Sequence, residues 1–272
     1  NGEIISSDSM QIYKDMSIGT AKPTKEEMDG IKHYLIDFVE PNKRYSVADF
    51  KKDAENAIEE ILEKGKIPII VGGTGLYVDS LIYGIEYQNI EFDEEYRKFL
   101  EERVKKEGLQ KLYDEAQKID PQAIEKISPN DQKRILRILE IYKTTGKNKT
   151  EQELESRKNG VKYDYKVFAI EMEREQLYAR INKRVDIMLE NGLIEEVKEV
   201  LKKYDEFPTA MQGLGYKEVV EYLQGSVSKE EMIENIKRET RRYAKRQMTW
   251  FRKNKQTIWI GPKDIQKILN EI

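Results

Sequence analysis

Four short segments of this 272-residue chain gather side chains able to do chemistry. Ser6-Ser7-Asp8-Ser9-Met10-Gln11 follows the apolar pair Ile4-Ile5, which reads as a strand. Ligands of open parallel sheets sit at the carboxyl ends of the strands, so Asp8 is placed to face one. A carboxylate there accepts a proton or hydrogen-bonds an amine nucleophile, as transfer to a nitrogen requires; as plain structure, the same residue caps the next turn. Gly72-Gly73-Thr74-Gly75-Leu76-Tyr77 closes a second strand, expected to be buried, and opens a helix. Its glycines let a ligand approach the backbone, and Thr74 offers a hydroxyl where a helix N-terminus favours anions or leaving-group oxygens. As structure alone, the glycines form a tight turn and Thr74 an N-cap. The spacing is not that of a dinucleotide fingerprint.

Arg180 and Arg184 lie four apart on one helix face beside Lys183, a spacing that lets two guanidinium groups clamp a diphosphate. Glu173, Glu175 and Asp186 allow the alternative of an ordinary solvated face. Arg241 to Arg252 interleaves cations with Tyr243, Trp250 and Phe251, the combination that grips phosphates and stacks unpaired bases. A weaker basic group, Lys133, Arg134 and Arg137, follows Pro129-Asn130-Asp131. With no cysteine and one histidine, His33, there is no disulfide framework, iron–sulfur cluster, Cys nucleophile or His-rich metal site, and a Ser-His-Asp triad is unsupported.

Positioning these segments takes an α/β frame. Ile4-Ile5, Tyr34 to Val39 and Ile67 to Val71 read as strands, and Ser46 can cap a helix over Val47 to Lys64 that Gly65 stops. Strand, crossover helix and buried strand imply a parallel sheet with covered faces. From about Phe92 to Arg157 the pattern is purely helical; Asp164 to Ile170 reads as a strand again, followed by helices over Glu173 to Leu189, Leu193 to Tyr204 and Ser228 to Arg252 and a short strand at Thr257 to Ile260. The expected organisation is an α/β core of residues 1–90 and 164–272, carrying a basic C-terminal helix, with a helical insertion at 91–163.

The net charge of −3 hides a polarity. Residues 1–90 carry 10 basic and 16 acidic side chains, whereas residues 228–272 carry 12 basic and 6 acidic. Lys237 to Lys255 holds nine cations against Glu239 alone, which points to a local polyanion-binding surface. Apolar runs are far too short for a membrane helix and the N-terminus lacks a signal-peptide pattern, so nothing is expected to span a membrane. A reducing, intracellular setting fits the absence of cysteine.

Taken together, Asp8-Ser9-Met10-Gln11-Ile12-Tyr13, Gly19-Thr20-Ala21-Lys22-Pro23, Val71-Gly72-Gly73-Thr74-Gly75-Leu76-Tyr77, Pro129-Asn130-Asp131 with Arg134 and Arg137, Gly213-Leu214-Gly215-Tyr216-Lys217 and Lys245-Arg246-Gln247-Met248-Thr249-Trp250-Phe251-Arg252 closely resemble, in order, the motifs of bacterial tRNA dimethylallyltransferases. The resemblance runs along essentially the whole chain. It implies an α/β fold of the nucleotide-binding P-loop type, ATP-binding by class, with an inserted helical domain. The implied activity is transfer of a dimethylallyl group from dimethylallyl diphosphate to N6 of adenosine 37 of tRNA, with Mg²⁺ as cofactor, by a cytoplasmic monomer that binds the anticodon stem-loop. On the same ground Asp8 binds the adenine N6 amino group and acts as general base, Thr74 positions the reacting centre, and Ser9, Met10 and Gln11 complete the base pocket. Arg97, Lys133, Arg134, Arg137, Gln212, Gly215, Tyr216, Lys217, Lys245, Arg246, Gln247, Thr249, Trp250 and Arg252 correspond to tRNA-contacting positions, and Arg180 and Arg184 to the diphosphate site. No residue is implied as a metal ligand.

Members of that family carry a G-P-T-x-x-G-K-[ST] loop upstream of the position that is Asn1 here, and no such loop occurs in this sequence. The expectation is a chain lacking its first core strand and phosphate cradle, nearly inactive by itself. Two other readings stay open: a prenyltransferase of free adenine nucleotides, disfavoured by the extended basic helix, and a non-catalytic RNA-binding P-loop relative.

Overall fold

A computed structural model describes residues 1–87, 93–158 and 160–271. The chain divides into two compact units, Asn1–Asp79 with Tyr163–Ile272, and Ser80–Lys162. The expected boundary between residues 90 and 91 lies outside the described residues, as does Phe92.

In the first unit β1 (Gly2–Ser6) lies between β2 (His33–Tyr34) and β3 (Ile67–Val71), all parallel, with Ile4 opposite both His33 and Ile69. The crossover helix α1 (Val47–Glu63) starts at a reciprocal cap: Ser46 accepts from the Asp49 amide while the Asp49 carboxylate accepts from the Ser46 amide. Phe50, Ala54, Ala57, Ile58 and Ile61 bury one stripe of it, and Gly65, at φ 66°, ends it. α2 (Gly75–Ile82) follows β3 directly after the glycine turn.

Two expectations need correction. Of the strand expected over Tyr34–Val39, only His33–Tyr34 forms, because Leu35 and Asp37 both take left-handed φ of 59°, which breaks the ladder; Val39 recovers a single parallel bridge to Tyr13. The strand at Ile67–Val71 forms, yet it is not covered on both faces: Ile67, Ile69 and Val71, alternating along an edge strand, are each about half exposed.

Among its described residues the second unit forms helices joined by turns and no strand: α3 (Glu94–Glu107), α4 (Leu109–Ile119), α5 (Pro121–Ile124), α6 (Gln132–Thr145) and α7 (Lys149–Glu155). Leu100, Leu112, Ala116, Ile124, Ile135, Leu136 and Ile138 form its core. Buried Asp120 caps α5 through the Ala123 amide and accepts from both the amide and the hydroxyl of Thr150, tying α7 to α5.

The first unit resumes with β4 (Phe168–Ile170), α8 (Arg174–Glu190), α9 (Leu193–Lys203), a short 3₁₀ turn at Ala210–Gln212, α10 (Tyr216–Leu223), α11 (Lys229–Phe251), β5 (Ile258–Ile260) and α12 (Ile265–Leu269). β4 and β5 pair in parallel as a separate two-stranded sheet. The main core joins Ile12, Tyr13 and Met16 from the β1 loop to Val185, Leu193, Val197, Tyr216, Val219, Met232 and Ile236 from the helices. This is the expected α/β class, a parallel sheet with many helices. Among the described residues no helix is long and apolar enough to cross a membrane.

Candidate active site at the carboxyl ends of the strands

Asp8 leaves β1 half-buried. Its Oδ1 accepts from the amides of Met10, 2.8 Å, and Gln11, 3.2 Å, so the capping geometry foreseen as an alternative is present. It occupies one oxygen only; among the described residues Oδ2 carries no hydrogen bond, which leaves an acceptor for a ligand.

Thr74 ties the glycine turn to the Asp8 loop. Its Oγ1 accepts from the Ser9 amide at 3.0 Å and donates to the Ser9 hydroxyl at 3.3 Å, while its own amide donates to the Ser7 carbonyl at 3.3 Å. Its carbonyl accepts from Tyr77 and Val78, starting α2. Asp8 and Thr74, drawn from the ends of two adjacent parallel strands, thus share one hydrogen-bonded layer.

The glycines of this turn serve packing rather than the approach of a ligand. A Cβ on Gly72 would lie 2.5 Å from the Ser7 hydroxyl, one on Gly73 would overlap the Gln247 amide, and one on Gly75 would overlap Cδ1 of the Trp250 ring. Gln247 Nε2 donates to the Gly73 carbonyl and Trp250 Nε1 to Asp79, each at 2.9 Å. The basic helix α11 therefore seats directly on the turn that holds Thr74. Gln247 and Trp250, expected to touch RNA, make internal contacts with the glycine turn and α2.

Tyr243, one of the aromatics that the basic run interleaves with its cations, lies one turn before Gln247 and completes this face. Burial raises its phenol above the ordinary value, and the charge of Asp8 adds to the rise.

Other expected residues separate into exposed and internal groups. Lys245, Arg246 and Thr249 are exposed on α11 and Arg252 at its C-cap, with Arg246 over the Tyr243 ring at 5.7 Å and Arg252 bonded to Glu171 at 3.0 Å. The first half of the basic run is paired after all: Lys237 meets Asp186 at 2.7 Å, Arg241 meets Asn182, and Arg238 and Arg242 share Glu239. The uncompensated charge lies in Lys245, Arg246, Lys253 and Lys255. Arg180 and Arg184 are exposed on α8, and no hydrogen bond or ion pair ties them to Asp8 or Thr74.

Tyr216 cannot touch RNA directly, since it is fully buried with its hydroxyl on Glu196; Gly215 is buried too, at φ 88°, with its amide on Glu218. Gln212 and Lys217 remain exposed beside them, and Lys217 lies 3.7 Å from Glu221. Met10 packs on the main core, with its methyl against Gly213. The Gln11 amide is engaged inside the protein, donating to the carbonyls of Thr20 and Ala21 and accepting from Ser6. In the helical unit Arg97 pairs with buried Glu140 at 2.9 Å, whereas Lys133 and Arg134 are exposed and Arg137 lies half-buried, 3.5 Å from the same Glu140.

A surface cavity of about 440 Å³ is lined by Asp15, Glu196, Glu199, Val200, Lys202 and Lys203. None of these belongs to the Asp8–Thr74 layer, and Asp15 and Lys203 in its lining pair with each other at 2.6 Å.

The model of the IPP transferase family matches residues 11–254, nearly the whole chain. The chain belongs to the IPP transferase family. Among the curated relatives of this IPP transferase, a tRNA dimethylallyltransferase of Acetivibrio thermocellus is 54% identical over 262 residues, covering 96% of this chain and 84% of the relative. One of Thermoanaerobacter sp. is 51% identical over 93% of this chain and 81% of its own length. The solved tRNA isopentenylpyrophosphate transferase of Bacillus halodurans superposes with a TM-score of 0.71 at 45% identity, covering 99% of this chain and 86% of that one. A eukaryotic dimethylallyltransferase acting on tRNA superposes with a TM-score of 0.76 at 36% identity, over 92% of this chain and 63% of that one. By family and relatives, then, this IPP transferase is a prenyl-transferring enzyme of the tRNA dimethylallyltransferase type.

Proposed function

We propose that this IPP transferase moves the dimethylallyl group of dimethylallyl diphosphate to N6 of adenosine 37 in the anticodon loop of tRNA. An exocyclic adenine nitrogen is a poor nucleophile, and a carboxylate that takes its proton as the N–C bond forms lowers the barrier. Asp8 fills that role: Oδ1 is anchored by two amides, which orients the carboxylate, and Oδ2 is directed to the N6 proton. The C–O bond to diphosphate breaks as the N–C bond forms, and the N6 proton ends on Asp8. Thr74, one hydrogen bond from Ser9, positions the reacting centre.

The adenosine must leave the loop stack to reach Asp8, which costs less in a loop than in a duplex. Lys245 and Arg246 on α11 and Arg252 at its C-cap hold the RNA backbone meanwhile, and Arg180 and Arg184 stabilise the departing diphosphate. The observation that carries the proposal is the seating of α11: the helix with the uncompensated cations is bonded through Gln247 to the turn bearing Thr74. RNA gripped by that helix is delivered to the Asp8–Thr74 layer.

Mg²⁺ is part of the expected cofactor set for a diphosphate-using enzyme. Among the described residues no group of three His, Cys, Asp or Glu is placed to hold a metal ion by itself; Mg²⁺ in such enzymes is held largely by substrate phosphates with one or two carboxylates, and no step above passes through it. The proposal includes a cytoplasmic monomer acting on the anticodon stem-loop. Its test is transfer from labelled dimethylallyl diphosphate to tRNA and to AMP in competition. Label in tRNA, at N6 of adenosine 37, is the expected result; label in AMP instead would overturn it.

A further inference from the structure

We infer that Glu196 is a positioning residue for the adenine pocket, acting through the loop of residues 17–21. The inference rests on the proposed function, in which Asp8 and Gln11 belong to that pocket.

Glu196 lies in the first turn of α9, yet its carboxylate is spent on a loop 178 residues away in the chain. Oε2 accepts from the amides of Ser17, 2.8 Å, and Ile18, 2.7 Å; Oε1 accepts from the Gly19 amide, 3.1 Å, and from the Tyr216 hydroxyl, 2.5 Å. Three consecutive backbone N–H groups converging on one anion form the concavity that otherwise captures free anions, here filled by a side chain. An ionised carboxylate accepts at about four lone-pair sites and donates nothing, so four donors saturate it. The Tyr216 ring seals the arrangement, lying where a Cβ on Gly19 would come within 2.5 Å of it.

The loop hands this constraint on. Thr20 Oγ1 donates to the Met16 carbonyl at 2.7 Å, and Ala21 is held at φ 48°, a left-handed conformation that a residue with a Cβ keeps only when its surroundings impose it. The carbonyls of Thr20 and Ala21, 3.3 and 3.2 Å away, take both protons of the Gln11 amide. The Ser6 hydroxyl donates to its oxygen, and the Gln11 backbone amide donates to Asp8 Oδ1. An unbroken series of bonds thus runs from Glu196 through the loop to Gln11 and Asp8. Glu196 touches no reacting group. Its predicted effect is on the aim of the Asp8 loop.

The test uses the full-length enzyme, tRNA and dimethylallyl diphosphate. Glu196→Gln keeps the shape and puts an NH₂ against at least one of the four donors. Expected are a loss of kcat of about tenfold or more and a tRNA Kd within about twofold of wild type. Combined with Gln11→Ala it should cost no more than the worse single change, because both act on one linkage. Multiplying effects, or wild-type kcat in Glu196→Gln, would overturn the inference. Should Glu196→Gln fail to fold, Tyr216→Phe, which removes one donor and leaves the carboxylate in place, takes its place in the same cycle. Faster hydrogen exchange at Ile18 and Gly19 with coupling to Gln11→Ala supports the anchor; unaltered exchange or additive effects contradict it. Asp8→Asn, measured alongside, separates the two claims. Loss of transfer there with additive loop effects defeats the anchor and leaves the proposed function standing, whereas full transfer in Asp8→Asn defeats the proposed function itself.

Discussion

Gly75→Ala probes the contact on which the placement of the basic helix α11 depends. The backbone of Gly75 is outside the left-handed region, so alanine meets no conformational strain and gains up to about 1 kcal/mol of helix propensity at the start of α2. On local grounds the substitution should stabilise. The new Cβ, however, would lie 2.6 Å from Cγ and Nε1 of Trp250, whereas carbon contacts settle at about 3.5–4.0 Å. The indole must retreat by roughly 1 Å, at an overpacking cost of about 1–3 kcal/mol. The same movement strains the Trp250–Asp79 hydrogen bond, a bond to a charged group worth about 1.5–3 kcal/mol. The steric effect wins, and the net destabilisation is about 2–4 kcal/mol. Urea unfolding followed by tryptophan fluorescence should show a lower midpoint with an unchanged slope. Trp250→Val removes the obstructing ring, so adding Gly75→Ala to that variant should cost less than about 0.5 kcal/mol. An equal cost in both backgrounds, or a Gly75→Ala protein as stable as wild type, would refute the packing argument.

Two further outcomes follow from other parts of the first unit. Glu3, buried at the opposite end of β1 from Asp8, is held at about 2 by hydrogen bonds from Lys66, Tyr34 and Lys64. Its folded-state value is depressed, so the stabilisation is present above the ordinary value of 4.5 and is lost as pH falls from there toward about 2. Urea midpoints measured across that window should fall more steeply in wild type than in Glu3→Gln, and parallel slopes would contradict the assignment. Arg246→Ala removes an exposed cation without disturbing the helix seat; tRNA affinity should drop and the slope of log K against log salt should flatten by about one. A weaker affinity with an unaltered salt slope would mean that Arg246 does not meet phosphate.

Much of the frame was legible because it is written in local signals. Ser46 and Asp49 announce the start of α1, Gly65 its end, and the runs at Ile4-Ile5 and Ile67–Val71 the two paired strands. Asp8 and Thr74 were legible as strand-end residues, though nothing local shows that Ser9 joins them. What the sequence hides is the partner of each group. Leu35 and Asp37 look like strand residues, and only the tertiary setting turns them left-handed. The glycines at 72, 73 and 75 read as room for a ligand, yet the room is taken by Ser7, Gln247 and Trp250, two of them more than 170 residues away. Tyr216 sits in a segment that resembles an RNA contact and is instead core. Glu196 resembles any acid in the first turn of a helix, where the dipole favours one, and no spacing betrays that it holds three distant amides.

The central claim is that Asp8 takes the N6 proton while α11 holds the tRNA. It is tested most directly by single-turnover transfer in the full-length enzyme with Asp8→Asn, with tRNA affinity measured on the same samples. The side chain keeps its size and its Oδ1 can still accept from Met10 and Gln11, but it no longer takes a proton. The account predicts a fall in the transfer rate of about a hundredfold or more with Kd for tRNA essentially unchanged. A rate within a few-fold of wild type, or a loss confined to tRNA affinity, would contradict it.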